Sequence, residues 1–262
     1  MNRLDGKIAV VTGAGGGLGS AMSAAFAAEG ATVVCQDLDE AAAKATVDAI
    51  AAGGGPEAMA HACDVTDSTA IDAMFDAVGT QFGRANVLVN CAGVDRTPGD
   101  GSGEGNTGTD LQITAMTDEG WQRMLDIHLN GTFFCTRAMV KRLVDTGEGG
   151  SIICISSIAG TSGWGGVHYA TAKAGLLGFV RAMARFSGPF GIRANAIAPG
   201  VINAGMTKRV APELLEPLLM MTPLGRHGVP SDIAHAAVYL ASDESAFVTG
   251  QCISPNGGLV IA

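Results

Sequence analysis

A tyrosine, a lysine and a serine stand at a spacing suited to proton chemistry: Tyr169 and Lys173 are four residues apart, and Ser157 lies twelve residues upstream of the tyrosine. On a helix, side chains at positions i and i+4 share one face, so the phenol and the ammonium would meet. Lowering a phenol pKa from ~10 to neutrality takes about 4 kcal/mol. An ammonium at about 4 Å supplies roughly that amount at an effective dielectric of ~20, but only about 1 kcal/mol in open water. The residues therefore predict a base only within a partly dry cleft; a Tyr-x-x-x-Lys pair alone is more often an ordinary helix-surface contact.

The segment Thr12–Gly19 is a glycine-rich turn between a strand-like run and an alanine-rich stretch of helical length. At such a helix start, unpaired backbone N–H groups and the positive end of the helix dipole bind phosphate. Glycines let a pyrophosphate approach the backbone closely. The spacing is Thr-Gly-x-x-x-Gly-x-Gly, using Gly13, Gly17 and Gly19, and not the stricter Gly-x-Gly-x-x-Gly. The sequence predicts a dinucleotide-binding turn, with a tight structural turn as the alternative.

Asp37 ends the second strand-like run, 24 residues after Gly13. An acidic side chain at that place accepts hydrogen bonds from both ribose hydroxyls of adenosine. A 2′-phosphate would face the carboxylate and find no cation, because neither Gly16 nor Gln36 carries charge. The sequence therefore predicts NAD in preference to NADP. The alternative is that Asp37 caps the helix that begins near Asp39.

Seven apolar runs alternate with alanine-rich segments of helical length. The strand-like runs are Ile8–Val11, Thr32–Gln36, Ala58–Cys63, Asn86–Val89, Ser151–Ile155, Arg193–Ile197 and Gln251–Ser254. The clearest helical segments are Leu18–Glu29, Glu40–Ala51 and Thr69–Phe82. Strands that are apolar on both faces and alternate with helices form a parallel sheet covered on both sides. We expect one α/β domain over residues 1–262: a doubly wound (Rossmann) parallel sheet of about seven strands, with helices on both faces and ligands at the carboxyl ends of the strands.

Two segments interrupt this alternation. Residues 95–110 contain five glycines and no apolar side chain, so we expect a flexible surface loop inserted in the domain. Residues 203–225 contain Pro212, Pro217 and Pro223 among leucines and methionines. This pattern predicts short, interrupted helices with an apolar face, acting as a lid over substrate.

The overall composition excludes several classes of function. The net charge is −9 and the pI is about 4.9, which disfavours nucleic acid and anionic lipid as partners. No apolar run reaches the roughly 18 residues that a membrane span needs. The first residues lead directly into a strand-like run and leave no room for a signal peptide, so we expect a cytoplasmic protein. The six cysteines stand singly, which predicts reduced core residues, no disulfide and no structural metal.

Several motifs in this order make the chain resemble the short-chain dehydrogenase/reductase family. The matching segments are Thr12–Gly19, Asp64–Val65, Asn90–Gly93, Ser157, the Tyr169 and Lys173 pair, Ile192–Gly200 and Thr249–Gly258. The resemblance covers essentially the whole chain except residues 95–110. It implies a nicotinamide cofactor held by Gly13, Gly16, Gly17, Leu18, Gly19, Asp37, Leu38, Asp64, Val65, Asn90, Ala92, Gly93, Tyr169, Lys173, Pro199, Gly200 and Ile202.

The resemblance also implies roles for the catalytic residues. Tyr169 would exchange a proton with an alcohol or carbonyl oxygen, while hydride passes between nicotinamide and the adjacent carbon. Lys173 would lower the pKa of Tyr169 and hold the nicotinamide ribose. Ser157 would orient the substrate oxygen, with Ser156 as a rival for that role.

The chain departs from the family pattern at two positions. His128 occupies the place of an asparagine that supports a water relay to the lysine, and Asn130 lies two residues later on another helix face. On sequence grounds, His128 suits either a relay role or a buried structural role. Ala204 stands where the family often has a threonine for the carboxamide, and Asn203 or Thr207 would have to replace it.

The substrate pocket is expected to include Trp164 and Val167, residues after Gly93, and the segment Met206–Met221. The apolar lid favours an apolar substrate body around one reactive oxygen, although the same segment would also suit packing on the core or on another subunit. A stripe of small residues lies on the helix that carries Tyr169: Ala170, Ala174, Gly178 and Ala182. With the family resemblance, it implies a homodimer or homotetramer.

Three functional hypotheses follow. The first is an NAD-dependent oxidoreductase of a secondary alcohol or ketone with an apolar, cyclic or steroid-like body. The second is an NADPH-dependent 3-oxoacyl thioester reductase, which the absence of a cation near Asp37 disfavours. The third is an NAD-binding sensor or scaffold without chemistry, which the intact Ser157, Tyr169 and Lys173 disfavour.

Overall fold

A computed structural model describes residues 2–102 and 112–261. Within these ranges seven strands form one parallel sheet in the order β3-β2-β1-β4-β5-β6-β7. The strands are β1 (Ile8–Thr12), β2 (Thr32–Asp37), β3 (Ala58–Ala62), β4 (Val87–Asn90), β5 (Gly150–Ile155), β6 (Ile192–Ile197) and β7 (Cys252–Ile253). The predicted doubly wound sheet is confirmed, and each predicted strand agrees with the observed one to within one residue at either end.

Helices cover both faces of the sheet. They are α1 (Gly17–Ala28), α2 (Glu40–Ala52), α3 (Ser68–Gln81), α4 (Gln112–Ala115), α5 (Asp118–Leu125), a π-helix (Asp126–Asn130), α6 (Gly131–Val144), α7 (Ala159–Ser162), α8 (Val167–Ser187), α9 (Pro212–Met220) and α10 (Pro230–Ala241). Short 3₁₀ turns occupy Gly188–Phe190, Gly205–Arg209 and Asp243–Ser245. Among the described residues, no helix is both long enough and apolar enough to cross a membrane.

Two hydrophobic cores lie on opposite faces of the sheet. On one face, Met22 and Phe26 of α1 pack with Ile233 of α10 against the strands. On the other face, Met74 of α3 and Met139 of α6 pack against the opposite side chains of the same strands. Because the five central strands (β1, β2, β4, β5 and β6) are buried on both faces, their residues read as continuous apolar runs, which explains why these strands could be located in the sequence.

The carboxyl ends of β1 and β4 form the point where the strand order reverses, since β1 pairs with β2 on one side and with β4 on the other. Thr12, the last residue of β1, joins these two strand ends. Its hydroxyl accepts hydrogen bonds of 3.0 Å from the N–H groups of Cys91 and Ala92 and donates at 3.4 Å to the carbonyl of Val89. Ligands of doubly wound folds bind in the crevice above this reversal.

The beginning of the 95–110 segment differs from the exposed loop that we expected. Thr97 and Asp100 are only 8% and 4% exposed. Polar residues can be buried when each polar group finds a partner, and the Asp100 carboxylate accepts hydrogen bonds from the N–H groups of Thr97 and Ser102. Low apolar content therefore did not exclude the first part of the segment from the interior. The rest of the predicted loop, residues 103–110, lies outside the described residues.

Candidate active site

A cleft of about 680 Å³ lies along the carboxyl ends of the central strands. All of the residues predicted to hold a cofactor line this cleft except Asn90. The lining set comprises Gly13, Gly16, Gly17, Leu18, Gly19, Asp37, Leu38, Asp64, Val65, Ala92, Gly93, Tyr169, Lys173, Pro199, Gly200 and Ile202. The predicted Ser157 and its neighbour Ser156 line it as well. Segments distant in the sequence thus meet in one crevice, as the sheet topology requires.

Asn90 lies behind the wall of the cleft. Its side chain is buried, and its Nδ2 donates to the hydroxyl of Thr136 at 3.2 Å and to the thiol of Cys154 at 3.8 Å. It is the last residue of β4, where successive side chains alternate between the two faces of the sheet. Asn90 therefore joins β4 to α6 and β5 and does not reach into the crevice.

The glycine turn leaves room that any side chain would fill. Gly13 has a φ of +67°, and a Cβ there would lie 2.8 Å from the Cα of Ala92. A Cβ at Gly19 would overlap the carbonyl of Gly13. Helix α1 follows, and its N-cap Gly16 provides no side-chain hydrogen bond to the first turn. Unpaired N–H groups at a close-packed helix start suit the pyrophosphate of a dinucleotide.

Asp37 borders this turn at the end of β2. One of its oxygens accepts a hydrogen bond of 2.9 Å from the N–H of Gly15, and the other accepts one of 3.1 Å from the N–H of Asp39. Helix α2 is capped by Asp39 itself, which accepts from the N–H groups of Ala41 and Ala42. The capping role considered for Asp37 therefore belongs to Asp39, and the Asp37 carboxylate remains on the cleft.

Ser157 and Tyr169 form the hydroxyl pair of the site. Ser157 neighbours the phenol closely enough for its side chain to lower the pKa of Tyr169, and the Ser157 Oγ accepts a 3.1 Å bond from the N–H of Ala159. Ser156 has a different function, since its buried hydroxyl donates at 2.7 Å to the carbonyl of Lys173 and joins β5 to α8. Of the two serines considered, Ser157 is the one that pairs with the phenol.

Lys173 is buried beside the phenol. Its Nζ donates at 2.7 Å to the carbonyl of Ile155 and lies 5.5 Å from the centre of the Tyr169 ring. Burial lowers the pKa of Lys173 to about 8. Burial also raises the pKa of Tyr169 to about 12, against the opposing effect of the Ser157 side chain. The lowering of the phenol pKa by Lys173 therefore stays a prediction.

His128 does not line the cleft, although it was a candidate for the proton relay. It lies in the π-helix, is 1% exposed, and its Nε2 lies 2.8 Å from the carbonyl of Val94. Burial lowers the pKa of His128 well below its usual range, so the imidazole is neutral. The same Nε2 also lies 3.3 Å from the backbone nitrogen of Val94. Asn130 is turned away and donates to the carboxylate of Asp126 at 2.6 Å. Neither side chain forms a hydrogen bond with Lys173, and the geometry makes His128 a structural support.

The substrate end of the cleft differs in part from expectation. Trp164 and Val167 are 38% and 40% exposed and do not line it. Val94 does, as predicted for residues after Gly93. Of the two residues considered as replacements for the family threonine, Thr207 lines the cleft and Asn203 does not.

Several lining residues were not predicted, among them Cys91, Arg123 and Ile127. Arg123 approaches Asp64, with 3.5 Å between Nη2 and Oδ2. Arg123 and Ile127 are four residues apart just before His128, so a shared helix face was a usable signal for both. Burial raises the pKa of the Cys91 thiol to about 11, which keeps it protonated.

The fold and the site together define a nicotinamide-dependent oxidoreductase of the Rossmann type. A family model described as enoyl-(acyl carrier protein) reductase matches residues 13–260. The chain is 38% identical over 267 residues to (3R)-3-hydroxyacyl-CoA dehydrogenase of Homo sapiens, covering 99% of this chain and 97% of the relative. It is 36% identical over 263 residues to 3-oxoacyl-(acyl-carrier-protein) reductase of Thermotoga maritima, covering 99% and 100%.

A crystal structure of 3-oxoacyl-(acyl-carrier protein) reductase from Brucella melitensis matches with a TM-score of 0.90 at 34% identity, covering 100% of this chain and 94% of the other. The chain therefore belongs to the short-chain dehydrogenase/reductase family, as its motifs predicted.

Proposed function

We propose that the chain is an NAD(H)-dependent oxidoreductase that interconverts 3-hydroxyacyl and 3-oxoacyl thioesters. The observation that carries the proposal is that Ser157, Tyr169 and Lys173 meet in the cleft of a chain similar, over nearly its whole length, to proteins named for these substrates. A 3-hydroxyacyl thioester is a secondary alcohol, so the reaction type is the one expected from the sequence. No feature of the described cleft favours a cyclic or steroid-like body over an acyl chain.

The site residues perform complementary tasks in this reaction. The phenol of Tyr169 is protonated at neutral pH, which is the form that donates a proton to a carbonyl oxygen. The Ser157 hydroxyl beside it orients the same oxygen. Lys173 holds positive charge next to the phenol and stabilises negative charge that develops there. A bound nicotinamide would supply or accept the hydride.

NAD(H) is proposed as the cofactor because of Asp37. Its carboxylate borders the glycine turn and would repel a 2′-phosphate. Among the described side chains along the cleft, the cationic ones are Arg123 and Lys173. Arg123 lies beside Asp64, and Lys173 is committed to Ile155, so neither is placed next to Asp37.

The remaining expectations stay predictions: a cytoplasmic protein with a small-molecule substrate that forms a homodimer or homotetramer. Support for self-association comes from α8, where Ala174, Gly178 and Ala182 are exposed. Of the predicted lid, Met206 and Thr207 line the cleft, whereas Leu214 on α9 is 67% exposed.

The test is turnover of acetoacetyl-CoA, a simple 3-oxoacyl thioester, followed through the absorbance of the reduced nicotinamide. We expect oxidation of NADH with kcat/KM at least about tenfold above that with NADPH. A cyclic ketone and an enoyl thioester serve as competing substrates. Turnover of the cyclic ketone without turnover of the thioester would refute the substrate class, and a preference for NADPH would refute the cofactor. Cofactor binding without turnover of any substrate would favour the sensor or scaffold.

A further inference from the structure

The helix that carries Tyr169 is held at its start by a side chain from another part of the chain. The Oε1 of Gln112 accepts a 3.1 Å hydrogen bond from the N–H of Val167, the first residue of α8. The Nε2 of the same amide donates at 2.8 Å to the carbonyl of Asp100. The N-cap residue of α8, Gly166, supplies no side-chain hydrogen bond of its own. Gln112 thus takes the place of the missing cap.

The Asp100 side chain is buried next to Gln112 and is the centre of a cluster of hydrogen bonds. Its carboxylate accepts hydrogen bonds from the N–H of Thr97 at 3.1 Å, from the N–H of Ser102 at 2.8 Å and from the Ser102 hydroxyl. Burial alone would raise the pKa of Asp100, but these hydrogen bonds and its closeness to His168 lower it. Asp100 is therefore an ionised group held inside the protein.

His168 faces this carboxylate from α8. Its Nε2 lies 3.6 Å from Oδ2 of Asp100, and its side chain is 1% exposed. Neither ring nitrogen of His168 has a hydrogen-bond partner among the described residues. Among the described residues, the imidazole of His168 therefore makes its polar contact with Asp100. His168 is also the residue directly before Tyr169.

The segment between Thr97 and Ser102 cannot shift unless the residues packed against it also move. Gly101 has a φ of +75°, and a Cβ there would overlap the carbonyl of Gln112. The N–H of Thr117 donates at 2.8 Å to the carbonyl of Gly99, and the hydroxyl of Thr97 donates at 3.0 Å to the carbonyl of Gly120. The segment is therefore packed tightly against the residues around α4 and α5.

Tyr169 depends on this arrangement because of its place in the helix. It is the third residue of α8, within the first turn, where backbone N–H groups have no partner inside the helix. The first helical hydrogen bond runs from the N–H of Ala170 to the carbonyl of Gly166. Whatever holds the start of α8 also fixes the phenol relative to Ser157, and small displacements of a reacting group are costly.

We propose that Gln112, Asp100 and His168 are positioning residues that hold the first turn of α8, and so keep the phenol of Tyr169 in register with Ser157. None of the three lines the cleft. Through Asp100, the beginning of the 95–110 segment thus helps to position the catalytic tyrosine. The kinetic readout rests on the proposed function, whereas the structural readout does not.

The test replaces Gln112 with methionine, which has a similar length and makes no such hydrogen bonds. The matched control is Gln122→Met on α5, where the amide donates to the exposed carboxylate of Asp126 at 2.8 Å. We expect Gln112→Met to lower kcat by about tenfold or more with little change in KM or in the Kd for NADH. Amide hydrogen exchange should accelerate in residues 166–172 and remain unchanged in the strands.

A conservative variant separates positioning from general stability. Gln112→Glu keeps an oxygen for the N–H of Val167, and a carboxylate suits a helix start. It also sets an oxygen against the carbonyl of Asp100 in place of the amide donor, so only part of the lost kcat should return. Asp100→Asn should show the same direction as Gln112→Met, with a smaller loss of kcat.

The proposal is overturned if Gln112→Met matches Gln122→Met in both kcat and exchange. It is equally overturned if exchange accelerates throughout the sheet while kcat per folded molecule is unchanged, since the residue would then be only structural. If the wild type turns over no thioester, the proposed function fails, and the exchange of residues 166–172 still decides whether Gln112 holds the helix start.

Discussion

The rings of His128 and Tyr169 pack edge to face, with their centres 5.6 Å apart and their planes at 85°. This is a favourable geometry for aromatic side chains. The Nε2 of the same imidazole lies 2.8 Å from the carbonyl oxygen of Val94, and a Cβ at Gly93 would overlap its ring. One buried side chain therefore supports both the catalytic phenol and the cleft wall that follows β4.

His128→Asn, which restores the usual family residue, is expected to impair this chain. Asparagine cannot make the ring contact with Tyr169 and is too short to keep the bond to Val94. The free energy of unfolding should therefore fall by about 1–3 kcal/mol. We expect kcat to fall as well. Urea unfolding and steady-state kinetics measure both effects, with the exposed His235→Asn as the control. An increase in kcat would show instead that the asparagine relay functions in this chain.

Tyr169→Phe removes a single oxygen from the site. We expect turnover to fall by roughly 10²–10⁴-fold, because the proton donor is lost, while the Kd for NADH stays unchanged. The chain has one other tyrosine, Tyr239 on α10, and Tyr239→Phe is the matched control. Turnover and fluorescence titration of NADH are the measurements. Undiminished turnover of the Tyr169 variant would contradict the mechanism.

The buried ammonium of Lys173 gives stability a definite pH dependence. Its pKa falls from 10.5 to about 8 on folding. Between these two pKa values the unfolded chain binds more protons than the native chain, so the free energy of unfolding rises with pH. Below about pH 8, burial of the charged lysine destabilises the native state by its full amount. Lys173→Met removes this penalty. We expect its stability relative to wild type to be greater at about pH 7 than at about pH 9.5, measured by urea unfolding. An equal difference at both pH values would show that the ammonium is not destabilised by burial.

The sequence located the features that depend on local pattern. Buried strands appear as apolar runs, and the turn at Gly13 has a spacing set by steric contact, so both were predictable. Features that depend on long-range partners were not. No feature of the sequence near Asp100 predicts that this residue is buried, because its environment includes His168, 68 positions away. Lys173 likewise donates to a backbone carbonyl, that of Ile155, and residue types alone do not predict such a partner.

Gly178 provides a test of self-association. It is exposed in the middle of α8, and a Cβ there would meet no atom within 4 Å. Gly178→Glu should therefore leave the protomer folded, while a charge on the small-residue stripe prevents close helix approach by a second copy. We expect a smaller species by sedimentation velocity. Gly79→Glu on α3 is the control, since a Cβ at this exposed glycine also has open space. A wild type that sediments as a monomer would contradict the oligomer.

The cofactor preference is expected to depend on the charge of Asp37. Asp37→Asn keeps an oxygen for the N–H of Gly15 but removes the charge that repels a 2′-phosphate, so the preference for NADH over NADPH should shrink by about tenfold. Adding Leu38→Arg places a cation on a side chain that is 69% exposed at the cleft, and NADPH should then become the better cofactor. Asp39→Asn is the control: it lies outside the cleft lining, and asparagine caps a helix about as well as aspartate, so the preference should stay at the wild-type value. The ratio of kcat/KM for the two cofactors measures each step. If the ratio is the same in Asp37→Asn and in Asp39→Asn, some other residue selects the cofactor.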